Sequence, residues 1–344
     1  MSVKLEDVKR TAIAVKLADM KAIQGLLISS DQVLITVCPD RDISNRLESL
    51  LRDDQKNLGI IDTAIVQYGI KAEPRLNVVK MINLAKEAMV SSNLSLFEKV
   101  AEHELIKHSQ AIAGLLIHKA AQIVGADIAI AISPLNTVNF DNRNHQEQLK
   151  GILEVLSTVE LTGQEANQSL WGMVQDAIAV VSGVAGSMRS DKEMNIRDLI
   201  QIDHTKVHAL FNQIQNTNNP QKLEEYFGQL YKDLIAHTTA IEEVLYPLAR
   251  PYHDEMQHLY DEQAKMKQLL NQIKELDPQH VDEFKTAMGS LMTNVREHVN
   301  KAENKMFLKI QTTLSTEQEK RLAVEFEAVK SKIQDNRLAN LTTY

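Results

Sequence analysis

The chain has 344 residues, 44% apolar and 24% charged, with a net charge of −8 and one cysteine, Cys38. Such a length exceeds one compact core and sets two domains as the expectation, while an acidic balance without a basic patch argues against a nucleic-acid partner. A lone cysteine excludes an intrachain disulfide or a thiolate cluster and suits a reducing cytoplasm; no apolar run is long enough to span a bilayer, so no membrane partner is expected.

Aromatic residues make up 4% of the chain, with only 12 Gly and 7 Pro, and helical periodicity dominates, so the expected class is all-α. The first helix is expected from about Leu5 to Ile28, burying Ala14, Leu17, Ala18, Ile23, Leu26 and Leu27. "QVLITV" has strand composition but no partner strand, and reads as helix or connection. A second helix runs roughly from Ile43 to Tyr68, with Gly69 as C-cap and Pro74 restarting the chain. "PRLNVVKMINLAKEAMVSS" and "SLFEKVAEHELIKHSQAIAGLLIHKAAQIVG" supply two more. After Pro134 and an Asn-rich turn, "HQEQLKGILEVLSTV" supplies another. In "LWGMVQDAIAVVSGVAGSM", Trp171, Val174, Ile178, Val181, Ala185 and Met188 repeat at three and four. That is a seam for a neighbouring helix; the other face lacks the Lys and Arg of a membrane-surface helix.

The apolar seam stops at "GSMRSDKEMN", which divides the chain into 1–190 and 195–344. Asn195 with Asp198 opens a helix over about 196–216. The next is expected over about 220–249, interrupted by Pro247 and Pro251, and a third over about 252–275. Asp277 and Pro278 are read as N-cap and first turn of a fourth, ending near Thr312. Ser315 with Gln318 caps a last helix. Four long helices with short loops make an up-down bundle.

Seven of the eleven histidines fall in this second half, at 204, 208, 237, 253, 258, 280 and 298. His204, His237, His258 and His298 sit on four successive helices, where antiparallel packing can bring them to one level of the interior. His237 and His298 are each followed five positions on by a glutamate, Glu242 and Glu303. Five residues of α-helix rotate by about 140°, so these pairs are not stacked, although a flexible Glu can turn inward. Imidazole with carboxylate and no thiolate suits iron, manganese or zinc.

With "DHTKVHALF", "LIAHTTAIEEVLYPLA" and "VREHVNKAENKMF" in order, residues 196–312 resemble the hemerythrin-like HHE cation-binding family. The resemblance implies a four-helix bundle with a dinuclear non-haem iron centre, and carries His204, His237 and His298 over as metal ligands. It also implies a glutamate four residues after the second and fourth histidines, where this chain has Ile241 and Ala302; Glu242 and Glu303 are the remaining bridges. The family's third-helix histidine aligns with Gln263, leaving His258 and Glu262 as substitutes one turn away. His208 reads as a further ligand or a pocket residue.

The first half has helix lengths like those of a ferritin-like bundle. Asp54 and Asn57, Glu104 and His108, and His145 with Glu147 form a degenerate motif, and an interaction or oligomerisation scaffold is expected there. The whole chain is therefore read as a cytoplasmic non-haem iron protein that binds or senses O₂, peroxide or nitric oxide, or buffers iron, and self-associates through its N-terminal half. The alternative is a helical scaffold whose metal site has decayed.

Overall fold

In a computed structural model of the chain, residues 7–163, 194–250, 256–300 and 314–342 are described, with side chains through 336. Among them all regular structure is helical. The first half contains α1 (Val8–Val37), α2 (Arg41–Tyr68), α3 (Leu76–Val90), α4 (Leu96–Val124), a short α5 (Ala126–Ala131) and α6 (Leu135–Thr162). The second contains α7 (Ile196–Asn216), α8 (Pro220–Ala240), a π-helical turn (Ile241–Leu245), a short α9 (Tyr246–Ala249), α10 (Met256–Lys274), α11 (Val281–His298) and α12 (Thr316–Thr342). The Trp171–Met188 seam lies outside the described residues, as do Glu303, Ala302, His253 and Pro251. None of the described helices is long and apolar enough to cross a membrane.

Local signals account for most helix ends. Asn195 Oδ1 accepts from Arg197 and Asp198 N–H while Asp198 reaches back to Asn195 N–H, satisfying donors that a helix start leaves open. Ser315 and Gln318 form the same reciprocal pair before α12. Gly69 closes α2 in the left-handed region at φ 86°. "QVLITV" is the last part of α1, and the Asn-rich stretch after Pro134 is helical rather than a turn, so α6 starts at Leu135, ten residues before the expected His145. Asp277 and Pro278 do not open the fourth helix. Asp277 caps a preceding turn by accepting from Gln279 N–H, and the helix begins at Val281.

Pro247 does not break the second helix of the bundle either. It has no N–H to offer Glu243 one turn back, and its ring would strike that carbonyl in an ordinary α-turn. The helix widens instead: Tyr246 N–H reaches Ile241 O in the π pattern, and α9 follows with Pro247 in its first turn. A second π-helical stretch begins at Val299 and Asn300, just after His298.

The apolar interior of the second bundle is in two parts. One contains Val207, Phe211, Phe227, Leu234, Phe284, Leu291 and Val295. The other contains Ile196, Ile200, Ala240, Ile241, Leu245 and, from α12, Leu322 and Phe326. Asp203, His204 and His237 fall in the gap between them.

The halves meet through buried polar groups. The last carbonyls of α2 are met by side chains from the second half: Gln334 donates to Val66 O at 2.8 Å, Lys206 to Gln67 O and Tyr68 O at 2.7 and 3.0 Å, and Gln229 to Tyr68 O at 3.1 Å. A Cβ at residue 69 would lie 2.5 Å from Asp233 Oδ1, so only glycine admits this approach. Beside it, Arg10 forks onto Asp127 at 2.6 and 3.1 Å, and Gln213 of α7 donates to Asp127 at 3.2 Å.

Candidate metal centre

Three of the expected ligands, His204, His237 and His298, line one cavity of about 270 Å³ between α7, α8, α10 and α11. Val207, Phe211, Leu234, Met266, Met292, Val295 and Val299 supply its apolar wall, while His208, Arg296 and Asn300 also line it. Those last three are exposed, so the cavity opens between them. The rings of His204 and His237 lie 5.3 Å apart, tilted by 58°. Arg296 Nη2 stands 3.5 Å from His208 Nε2 at the opening.

Two of the histidines are oriented by carboxylates. His237 Nδ1 lies 2.9 Å from Asp203 Oδ2, and His298 Nδ1 lies 2.9 Å from Glu262 Oε2. A carboxylate at Nδ1 holds the proton on that nitrogen and leaves Nε2 as the lone-pair nitrogen, the arrangement that suits a metal-binding imidazole. Asp203 is itself engaged on its other oxygen by Lys330 Nζ at 2.6 Å. Burial alone would raise the Asp203 carboxyl, but the Lys330 ammonium and the His237 hydrogen bond outweigh it and hold the group well below the ordinary carboxylate range.

The remaining expected ligands stand elsewhere. Glu242 follows the first π residue and turns toward α10, where Lys267 Nζ meets both its oxygens at 2.8 Å. Gln263 is fully buried beside it, with an amide placed to donate to Thr238 O and Glu242 and to accept from the Tyr246 hydroxyl. Ile241, four after His237, is fully buried in the apolar cluster with Ile200 and Phe326, which is why no carboxylate occupies that position here. His258 is 63% exposed and pairs with Glu262 at 3.0 Å on its own helix, away from the cavity wall. Glu262 thus supports His298 instead of lining the cavity. Among the described residues no three His, Cys, Asp or Glu side chains converge closely enough to hold an ion. The donor chemistry of the imidazoles, with a carboxylate behind two of them, suits a cation; of the two expected bridging carboxylates, Glu242 is committed to Lys267 and Glu303 is outside the described residues.

Asp203, Lys267 and Lys330 join the site without having been expected from the sequence. Asp203 had a signal, since it directly precedes His204 in the first motif. The two lysines lie on other helices with nothing in their neighbouring residues to mark them.

Comparison with known proteins places the second bundle in a family. The model of the hemerythrin HHE cation-binding domain matches residues 195–310. A protein of Nostoc sp. (strain PCC 7120), named DNA nickase, is 55% identical over 336 residues, covering 96% of this chain and 95% of that protein. No solved structure matches the chain. With identity of that order along nearly its whole length, the chain belongs to the same family as the Nostoc protein, and its residues 195–310 are a hemerythrin HHE cation-binding domain.

Proposed function

We propose that the protein is a cation-dependent DNA nickase whose second bundle holds the cation through His204, His237 and His298. The observation that carries the reading is the coincidence of a histidine-lined, open cavity with end-to-end similarity to a protein named for that activity. A bound cation would supply Lewis-acid or redox chemistry toward a phosphodiester or its sugar; imidazole donors favour iron, zinc or manganese over magnesium. The chain's own groups do the positioning. Asp203 and Glu262 fix two imidazoles, the apolar wall limits water, and the exposed Arg296 at the opening is placed to meet a phosphate. The overall charge of −8 confines any DNA contact to such a local patch and makes it sensitive to salt.

The test is conversion of supercoiled plasmid to the open circle by purified protein. Activity is expected with iron, zinc or manganese restored after chelation, and loss of it in His237→Ala and in Arg296→Ala. A His237→Ala protein that nicks as fast as the parent removes this reading. The cavity's size favours a second one. At about 270 Å³, with seven apolar side chains in its wall, it suits a diatomic molecule or peroxide on a dinuclear iron centre better than a nucleotide. Spectral changes of the iron-loaded protein with nitric oxide or peroxide, in preparations that leave plasmid intact, would favour that alternative.

A further inference from the structure

The geometry points to α12, which lies outside the matched domain, as a working part of the metal centre, with Lys330 as a positioning residue for His237. This inference rests on the cation-binding reading above.

Three observations converge on it. First, Asp203 directly precedes His204 and lies 2.9 Å from His237. Such a carboxylate can serve in two ways: as a support behind an imidazole, or as a ligand competing with it. Lys330 Nζ, at 2.6 Å on the other oxygen, decides between them. With one oxygen on an ammonium and the other on Nδ1, both are committed, and Asp203 is held behind His237. Second, the side chains are buried: Lys330 is 4% exposed and Asp203 7%, so water does not substitute for either partner. Third, α12 touches His237 by another route. The Phe326 ring stands edge-on to the imidazole at 6.0 Å, and Lys330 Nζ lies 5.5 Å over that same ring. One helix thus fixes both the tautomer of His237 and the plane of its ring.

Lys330 is anchored in turn from the first half of the molecule. Gln67 Oε1, on the last turn of α2, lies 3.2 Å from its Nζ. A continuous polar chain therefore runs from Gln67 through Lys330 and Asp203 to His237. His298 has no such backing: Glu262 is 23% exposed and shares its carboxylate with His258, itself 63% exposed. Of the two supported histidines, His237 is the one whose placement depends on parts of the chain beyond the four-helix bundle.

The experiment is titration of full-length, chelator-treated protein with Co²⁺, followed by its visible absorption, alongside thermal unfolding without metal. Lys330→Met is expected to weaken Co²⁺ binding about ten- to a hundredfold, the range for loss of an outer partner of a metal-binding histidine, and to shift the absorption bands as Asp203 is released. Lys330→Arg, which keeps the charge on Asp203, should restore binding to within about threefold. Asp203→Asn, close in shape, should weaken binding like Lys330→Met if the latter folds poorly. Parental Co²⁺ affinity and spectrum in both Lys330→Met and Asp203→Asn, while His237→Ala loses binding, overturn this inference alone. Equal Co²⁺ binding by the parent and His237→Ala would instead defeat the cation-site assignment itself.

Discussion

The two bundles bury charge in opposite ways. In the first, the charged groups close on one another. Asp54 receives the Lys107 ammonium directly, His145 lies 3.4 Å from Asp53 and 3.5 Å from Asp54, and His103 lies 2.9 Å from Asp31. Burial would raise the Asp54 carboxyl, yet Lys107 and His145 hold it well below its usual range. Burial and Lys107 would lower His145, yet Asp53 and Asp54 leave it raised. In the second bundle the ammonium of Lys330 stands behind Asp203, and the imidazoles in front face a cavity. The lesson is that similar residue types specify different things according to where the lysine goes. At the centre it takes the position a cation would need; at the back it orients the groups that could hold one.

That contrast can be broken experimentally, and the largest effect belongs to the first bundle. Lys107→Met leaves Asp54 buried without its cation and should cost about 3–5 kcal/mol in denaturant unfolding. An unchanged midpoint would mean that the pair is dispensable and that the interior resembles the other bundle's after all. Next comes Ile241→Glu, which restores the carboxylate that the family places there but puts it among Ile200, Leu245 and Phe326. Without metal it should lose roughly 3 kcal/mol. Recovery of that loss on adding Fe²⁺ would show that the site can still recruit a bridging ligand, and continued instability would show that it cannot.

Acid titration gives a third, smaller effect. Asp54 and Asp203 are both depressed in the folded state, so their contribution is complete above about pH 4 and fades as pH falls toward the folded values. Asp54→Asn and Asp203→Asn should each make the acid limb of a stability–pH curve shallower; an unaltered limb in both would contradict the assigned pairings. His145 runs the other way. Being raised, its contribution is full below about pH 6.5 and is lost as pH climbs through the folded value. The smallest effect is expected at Arg321, which pairs with Glu325 at 3.0 Å but is 81% exposed. Arg321→Ala should change stability by no more than about 0.5 kcal/mol, and a larger loss would show that α12 is more tightly bound to the fold than its buried contacts imply.

How much of this was legible in the sequence follows from the distance over which each feature is specified. Gly69, the Asn195–Asp198 pair and the Ser315–Gln318 pair act within a few residues, and each reads correctly from its neighbours. His204, His237 and His298 are legible because a motif fixes their place on their own helices, and helix register then carries them to one cavity. The Asp203–Lys330 pair spans 127 residues and depends on how two elements dock, which local pattern does not encode. Lys107 is similar, 53 residues from Asp54. The π-helical turn was hidden for another reason: Pro247 reads as a breaker, and whether a helix stops or widens there is decided by the packing of Ile241 and Leu245. That choice also turns Glu242 toward Lys267, a pairing across helices that no local pattern encodes.

The capped end of α2 bears on the order in which the molecule can be completed. A ribosome releases Gln67 139 residues before Lys206 and 263 before Lys330, the side chains that meet its carbonyl and its amide. Until Lys206 follows, these carbonyls lack their partners from the second half, and their dipoles point outward as a negative lure for the lysines still to come. The newly made first half is therefore an open socket that α7, α8 and α12 fill in turn. Docking of α12 then completes the cap on α2 and backs the imidazole of His237 through one and the same lysine, Lys330.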